Sequence, residues 1–277
     1  MAERGSERGV AVVTGASSGI GAELARQLAA SGHPVLAVAR RTDRLEQLAA
    51  EARQGGWAEI HPLALDVGAE GAPAEVRARA EALGKVAWLV NNAGTAKFGP
   101  VVEMDPASAA AQVRINCEAV VALTAALLPG MVERRSGTVL NLASVAGFQP
   151  TPLMGIYGAT KAFVLAYSEV LAVELKGTGV TVTALCPGPV ATEIFDVAGA
   201  GIPRKAPSHE ISAAECARFG IAAARRGKVI AVPGLLNWLL AVFSPRAPRA
   251  VIRAVMGRMG LSYLGYAPGR TLPGRTG

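Results

Sequence analysis

The sequence is poor in cysteine, aromatic residues and charge, and these shortages exclude several classes of protein. Its three cysteines and three histidines are widely spaced, and no two of them have the spacing of metal ligands. We therefore expect buried thiols in a reducing compartment, with neither a disulfide framework nor a metal site. No apolar run reaches the ~18 residues that a membrane span needs, and the charged N-terminus has no apolar signal core. A cytoplasmic protein is expected.

Acidic residues are almost missing from the last quarter of the chain. Residues 1–200 carry 16 Lys and Arg against 19 Asp and Glu, whereas residues 201–277 carry 12 against 2, and no acid follows Glu215. The excess indicates either a solvated basic surface or an anionic partner, such as a lipid surface, an acyl-CoA or an acidic carrier protein. Nucleic acid is disfavoured, because no nucleic-acid-binding module accompanies the charge.

What the sequence does contain is a regular alternation of short apolar runs and longer segments with helical periodicity. The runs are apolar on both faces, which is typical of strands covered by helices on both sides of a sheet. The alternation predicts an α/β fold, a Rossmann-type doubly wound parallel sheet with helices on both faces. Predicted strands are 10–14, 34–39, 60–66, 86–91, 138–143, 181–186 and 229–233. Predicted helices are 21–31, 44–54, 74–83, 106–134, 157–176 and 212–226.

A glycine-rich turn follows the first predicted strand. Residues 14–21 read T-G-A-S-S-G-I-G. Such a turn lets the backbone approach a pyrophosphate while the next helix points its free N–H groups at the anion. The spacing is G-x-x-x-G-x-G rather than the usual G-x-G-x-x-G, but its place after the first strand predicts a dinucleotide site. The predicted site residues here are Gly15, Ser17, Ser18, Gly19, Ile20 and Gly21.

The end of the second predicted strand determines which nicotinamide dinucleotide is expected. A carboxylate there would bond the ribose 2′-hydroxyl of NAD, whereas arginine can pair with the 2′-phosphate of NADP. Arg40 and Arg41 occupy this position, and no acid occurs before Asp43. NADP is therefore expected rather than NAD, unless the two arginines only begin a solvated loop.

Three polar residues form the predicted catalytic group. Tyr157 and Lys161 are four residues apart and share one face of a helix. Tyrosine has an ordinary pKa near ~10, so a neighbouring ammonium that lowers this pKa would make it a better acid and base at neutral pH. Ser144 ends the fifth predicted strand, where its hydroxyl can polarise a substrate carbonyl. For Tyr157 and Lys161 taken alone, an amphipathic surface pair is the alternative.

In order and spacing, these motifs resemble those of the short-chain dehydrogenase/reductase family. The resemblance covers roughly residues 8–196 and is carried by the turn at 14–21, Asp66-Val67, Asn91-Asn92-Ala93-Gly94, Asn116, Ser144, Tyr157, Lys161 and Pro187-Gly188. It implies cofactor contacts from Asp66 and Val67 to the adenine, from the turn with Asn92, Ala93 and Gly94 to the adenine ribose, and from Pro187, Gly188, Val190 and Thr192 to the nicotinamide carboxamide.

The resemblance also implies a reaction. Asn116 would be a fourth catalytic residue that holds a water linking Lys161 to solvent, unless its amide is only bonded to the backbone. Tyr157 and Lys161 would also contact the cofactor, with Lys161 bonding the nicotinamide ribose hydroxyls. We expect hydride transfer between NADP and the carbonyl carbon of a small-molecule substrate, with Ser144 orienting the oxygen and Tyr157 exchanging the proton. The alternative is a non-catalytic NADP-binding sensor or scaffold on the same fold. A homo-oligomer built partly through the two long helices is implied as well.

The last quarter of the chain contains more than this resemblance requires. Residues 193–212 are predicted to form the substrate loop, and 234–264 an amphipathic basic helical extension. The extension could pack on the domain, cover the pocket, mediate oligomerisation or lie at a membrane periphery, and it favours a hydrophobic or acyl-type substrate. The expected division is a catalytic domain at 1–233, the extension at 234–264 and a disordered tail at 265–277.

Overall fold

The computed structural model describes residues 8–193, 198 and 210–263, with side chains described as far as 258. Most of the predicted substrate loop and the whole predicted tail at 265–277 lie outside these residues.

The described residues form one seven-stranded sheet in which every strand is parallel to its neighbours. The strand order is β3-β2-β1-β4-β5-β6-β7, so the chain reverses direction across the sheet between β1 and β4. This confirms the doubly wound α/β fold. The strands are β1 (Val10–Thr14), β2 (Val35–Ala39), β3 (Ile60–Ala64), β4 (Val86–Asn91), β5 (Gly137–Leu142), β6 (Val180–Leu185) and β7 (Ile230–Ala231).

Helices cover both faces of the sheet, as the apolar strands predicted. Alternate residues of β1 face opposite sides: Val13 packs with α1, α2 and α7, whereas Val12 packs with α3, α5 and α6. Both sides of the sheet are therefore core. The helices are α1 (Gly19–Ala30), α2 (Thr42–Gln54), α3 (Ala72–Leu83), α4 (Pro106–Val113), α5 (Ala119–Glu133), α6 (Gly155–Glu174), α7 (Ala213–Arg225), α8 (Leu235–Phe243) and α9 (Arg249–Tyr263).

The structure corrects several predicted boundaries. The helix predicted at 106–134 is not uniform, because a π-helical segment, Arg114–Glu118, joins α4 to α5. Strand β3 ends at Ala64 rather than at 66, and Asp66 instead forms a turn in which its Oδ1 accepts from the Gly68 N–H. Strand β5 ends at Leu142, so Ser144 lies in the turn beyond the strand rather than at its last position.

Two helical stretches, Pro106–Glu133 and Gly155–Glu174, are long and apolar enough to cross a membrane by length and composition alone. Here they pack against the sheet through side chains such as Leu123 and Leu171. The core thus accounts for one face of each helix, and 39% of each apolar window is buried.

Candidate active site

The turns at the carboxyl edge of the sheet converge on one cleft of about 650 Å³. It is lined by the loops that follow β1, β2, β3, β4, β5 and β6, together with the start of α6. Of the predicted site residues, only Gly21 and Asn116 do not line it. The lining ones are Gly15, Ser17, Ser18, Gly19, Ile20, Arg40, Arg41, Asp66, Val67, Asn92, Ala93, Gly94, Ser144, Tyr157, Lys161, Pro187, Gly188, Val190 and Thr192.

The glycine-rich turn has the shape of an anion cradle. Gly15 and Gly19 have φ of 66° and 53°, which disfavours any residue with a side chain. Helix α1 starts at Gly19, and neither a side-chain cap nor an acid in its first turn occupies its N-terminal N–H groups. The positive end of the helix therefore faces the cleft, which suits a bound pyrophosphate.

Gly21 shapes this turn from behind. A Cβ on Gly21 would lie 2.3 Å from both Asn92 Nδ2 and the Gly15 carbonyl oxygen. Asn92 Nδ2 in turn donates to the Thr14 carbonyl oxygen at 2.9 Å and to that of Gly15 at 3.3 Å. The turn after β4 thus holds the turn after β1 in place, and only glycine fits at position 21.

At the end of β2, the two predicted arginines have different surroundings. Arg41 Nη1 donates to Glu193 Oε2 at 2.8 Å, and its Nε and Nη2 each lie 3.2 Å from Ser17 Oγ. The Arg41 guanidinium lowers the pKa of the Glu193 carboxyl. Arg40 is exposed and lines the cleft, with no side-chain hydrogen bond or ion pair in the described part of the chain.

Ser144, Tyr157 and Lys161 meet on the other side of the cleft. Ser144 follows β5, where its Oγ accepts from the Ala146 N–H at 3.1 Å. Tyr157 lies in the first turn of α6 and is hydrogen-bonded to Ser144. Lys161 lies one turn later, with Nζ 5.6 Å from the centre of the Tyr157 ring. The three side chains therefore lie together on one wall of the cleft.

The electrostatics of this group differ from the prediction. Burial raises the pKa of Tyr157, and the hydrogen bond with Ser144 partly counters that rise. Lys161 is 5% exposed, and burial lowers its own pKa to about 8. Its Nζ donates to the Leu142 carbonyl oxygen at 2.6 Å. The pKa of Tyr157 is therefore raised in this arrangement, whereas the prediction had it lowered.

Asn116 lies in the π-helical segment, behind the cleft. Its Oδ1 accepts from the Thr95 N–H at 2.8 Å, and its Nδ2 donates to the Thr95 carbonyl oxygen at 2.9 Å and to Thr160 Oγ1 at 3.0 Å. Both side-chain atoms are thus engaged, as in the alternative of an amide bonded to the backbone. A Cβ on Gly94 would lie 3.3 Å from Asn116 Oδ1 and 3.7 Å from Lys161 Nζ, so Gly94 leaves a narrow space between them.

The sequence reasoning missed two residues that shape the cleft. Glu193 follows the turn after β6 and pairs with Arg41. Asn237, in α8, is buried against Gly188, where a Cβ would lie 2.4 Å from the Asn237 amide. Neither residue belongs to a recognisable motif, and each is brought to the cleft only by the fold. Gln149, Thr151 and Met154 also line the cleft. Their position in the sequence between Ser144 and Tyr157 could have predicted this.

Comparisons with known proteins agree with this geometry. The profile of the short chain dehydrogenase family matches residues 9–203. Human very-long-chain 3-oxoacyl-CoA reductase is 33% identical over 221 residues, or 76% of this chain and 70% of that protein. The chain spans only 60% to 67% of the length of several other curated relatives that it matches.

Solved structures show the same similarity. A short-chain dehydrogenase from Sphingobium yanoikuyae in complex with NADPH is 31% identical, with a TM-score of 0.76 over 96% of this chain and 99% of that one. A 3-ketoacyl-(acyl-carrier-protein) reductase from Brucella melitensis complexed with NADH is 26% identical, with a TM-score of 0.72 over 82% and 97%. The chain belongs to the short-chain dehydrogenase/reductase family.

Proposed function

We propose that this protein is an NADP(H)-dependent oxidoreductase that interconverts a carbonyl and a secondary alcohol. One observation carries the proposal: Ser144, Tyr157 and Lys161 line the same cleft as the glycine-rich turn after β1. A phosphate cradle and a proton-transfer group in one cleft are what hydride transfer to a carbonyl requires. A non-catalytic sensor on this fold would need the cradle but not the proton-transfer group.

The glycine cradle fits a dinucleotide at one end of the cleft. The N-terminus of α1, Gly15 and Gly19 would hold the pyrophosphate, while Asp66 and Val67 would border the adenine. Pro187, Gly188, Val190 and Thr192 would cover the nicotinamide. When bound, the cofactor supplies or accepts the hydride.

The protein's own groups handle the oxygen and the proton. In the reductive direction, Ser144 Oγ donates a hydrogen bond to the carbonyl oxygen, and the Tyr157 hydroxyl gives that oxygen its proton as the C–H bond forms. The Lys161 ammonium next to the Tyr157 ring favours the resulting phenolate. Asn116, beyond Gly94, belongs to the proposed route that reprotonates Tyr157 from solvent.

The preference for NADP rests on charge at the end of β2. Arg40 and Arg41 both line the cleft, and neither of them is followed by an acid until Asp43. Arg40 is exposed and unengaged among the described residues, so it can meet a 2′-phosphate without breaking another bond. The NADPH complex of the Sphingobium relative supports this choice.

A hydrophobic or acyl-type substrate is favoured by the substrate side of the cleft. Val145, Ala146 and Met154 lie there beside Ser144 and Tyr157, and they offer apolar contacts to a chain or ring attached to the carbonyl. The human relative is named as a very-long-chain 3-oxoacyl-CoA reductase. The basic last quarter of the chain would suit an anionic acyl carrier such as coenzyme A.

A substrate screen tests the proposal. Oxidation of NADPH and of NADH is followed with ketones, aldehydes and 3-oxoacyl thioesters, using wild type, Tyr157→Phe and, as a control on the same helix, Tyr167→Phe. We expect turnover with NADPH that falls by about 10²–10⁴ in Tyr157→Phe, with NADPH binding and the control's activity retained. Binding of NADPH without turnover of any substrate class by the wild type would favour the sensor instead.

A further inference from the structure

Helix α8 exposes its large apolar side chains and buries a polar one, which is the reverse of a surface helix in a water-soluble protein. Its buried positions are Asn237, which is 3% exposed, and Ala241 one turn later. The large apolar side chains point outward instead, with Leu235 74% and Phe243 62% exposed. Leu236, Trp238, Leu239 and Leu240 are exposed as well. A soluble helix buries its large apolar side chains and exposes its polar ones.

Specific contacts fix this orientation. Asn237 Nδ2 donates to the Pro233 carbonyl oxygen at 3.0 Å, and the amide packs directly against Gly188. The helix also packs on the turn Val145–Phe148 that follows Ser144. Turning α8 to bury its leucines would remove the Asn237 hydrogen bond and break this contact with the cleft wall. The outward apolar surface is therefore built into the fold.

The charged residues that follow this surface in the chain are all of one sign. Arg246, Arg249, Arg253 and Arg258 follow α8 and are all exposed, and no acid occurs after Glu215. Helix α9 adds Val251 and Val255, which are exposed one turn apart. An apolar surface beside basic side chains is typical of helices that lie in the headgroup region of an anionic membrane.

Two other arrangements fit the observations less well. Nine residues of α-helix extend about 14 Å, which is too short to cross a bilayer. A second copy docked on α8 by a twofold axis would bring two sets of these arginines together, and residues 216–277 have no acid that could pair with them. An anionic phospholipid bilayer offers acyl chains to the leucines and negatively charged headgroups to the arginines.

We propose that α8 and the adjoining part of α9 lie in the surface of an anionic phospholipid bilayer, with Leu235, Leu236, Trp238, Leu240 and Phe243 in the acyl region and the arginines at the headgroups. Because α8 packs on Gly188 and on the turn after Ser144, the bilayer would lie beside the reacting end of the cleft. On the proposed function, a carbonyl compound dissolved in the membrane is then the natural substrate class.

Vesicle co-sedimentation of the full chain tests the surface without relying on catalysis. The probes are phosphatidylcholine vesicles with and without phosphatidylserine. The variants are Leu235→Gln/Phe243→Gln for the apolar surface, Arg249→Gln/Arg253→Gln for the charge, and Val173→Gln as a control at an exposed valine on α6. All substituted side chains are exposed, so thermal unfolding should stay near that of wild type.

We expect wild type and Val173→Gln to bind the phosphatidylserine vesicles. The apolar double variant should bind about tenfold or more weakly, and each arginine lost should cost about fivefold. Brominated acyl chains should quench Trp238 fluorescence, and Trp238→Phe should abolish that quenching.

Three results would overturn the inference. One is the absence of sedimentation with either vesicle. Another is binding that survives the apolar double variant. The last is a wild type that does not bind vesicles and forms an oligomer in solution, together with a monomeric apolar double variant. A second copy of the chain would then cover α8. A failed substrate screen with retained vesicle binding would overturn only the proposed reaction.

Discussion

Arg41 and Glu193 are 152 positions apart in the chain, yet Arg41 Nη1 lies 2.8 Å from Glu193 Oε2 at the adenosine end of the cleft. Each side chain is partly exposed. Since Arg41 is proposed, together with Arg40, to meet the 2′-phosphate of NADP, the carboxylate of Glu193 would compete with that phosphate for the Arg41 guanidinium.

Glu193→Gln should therefore strengthen NADPH binding. Exposed ion pairs contribute at most about 1 kcal/mol, so we expect the Kd for NADPH to fall by about two- to fivefold while the Kd for NADH stays the same. Arg41→Ala should raise the Kd for NADPH by about tenfold. Fluorescence titration of reduced cofactor measures both constants.

The control for this prediction is a similar pair far from the cleft. Arg77 Nε and Glu81 Oε1 are 2.8 Å apart on α3, and Glu81→Gln removes that ion pair. It should leave both cofactor affinities unchanged. If the Kd for NADPH is unchanged in Glu193→Gln, or the Kd for NADH changes by the same factor, Arg41 does not bind the 2′-phosphate.

Burial of Lys161 makes a prediction about stability and pH. Its pKa is about 8 in the folded protein against an ordinary value of 10.5, so between pH 8 and 10.5 the unfolded chain binds more protons than the folded one. The buried ammonium thus destabilises the fold below pH 8, and this cost disappears as the pH rises from 8 to 10.5. In Lys161→Met the cost is absent at every pH.

We therefore expect the stability advantage of Lys161→Met over wild type to shrink with rising pH in this window, by roughly 3 kcal/mol in all. Denaturant unfolding at several pH values measures the difference. Comparing the two proteins removes the opposite contribution of Cys216, whose pKa is raised by burial to about 12. Lys176→Met, at an exposed lysine just past α6, should show no such trend.

Asn116 makes three hydrogen bonds, two to Thr95 in the loop after β4 and one to Thr160 in α6. Asn116→Ala would leave the Thr95 N–H and carbonyl and the Thr160 hydroxyl without this partner. We expect a loss of about 2–4 kcal/mol in the free energy of unfolding. Thr160→Val is the matched comparison, because it removes only one of the three bonds and should cost less.

The same variants address the proton route. If Asn116 only supports the loop, Thr160→Val should keep the wild-type kcat and its dependence on buffer concentration. If the proposed route is correct, Asn116→Ala should lower kcat and added small buffers should partly restore it. Absence of rescue, with a normal KM, would contradict a role in proton supply.

Much of the site could be predicted because its residues follow strands. The turn at 14–21, Ser144 and Asn92 each follow an apolar run, and the carboxyl ends of parallel strands must meet at one edge. The pair Arg41–Glu193 could not be predicted, because Glu193 lies in a loop with no periodicity. The orientation of α8 could not be predicted either, since nine almost wholly apolar residues give no face a preference until Asn237 meets Gly188.

That contact between α8 and the cleft wall gives the last prediction. A Cβ on Gly188 would lie 2.4 Å from Nδ2 and Oδ1 of Asn237, so Gly188→Ala must displace either the start of α8 or the turn after β6 that is proposed to cover the nicotinamide. We expect a loss of about 1–3 kcal/mol in the free energy of unfolding and a higher KM for NADPH.

Asn237→Ala alone removes the hydrogen bond to Pro233 and should cost about 1 kcal/mol. The double variant should be less destabilised than the sum of the two, by about 1 kcal/mol, because truncating Asn237 makes room for the new methyl group. Additive losses in a double-mutant cycle would show that the two residues do not constrain each other.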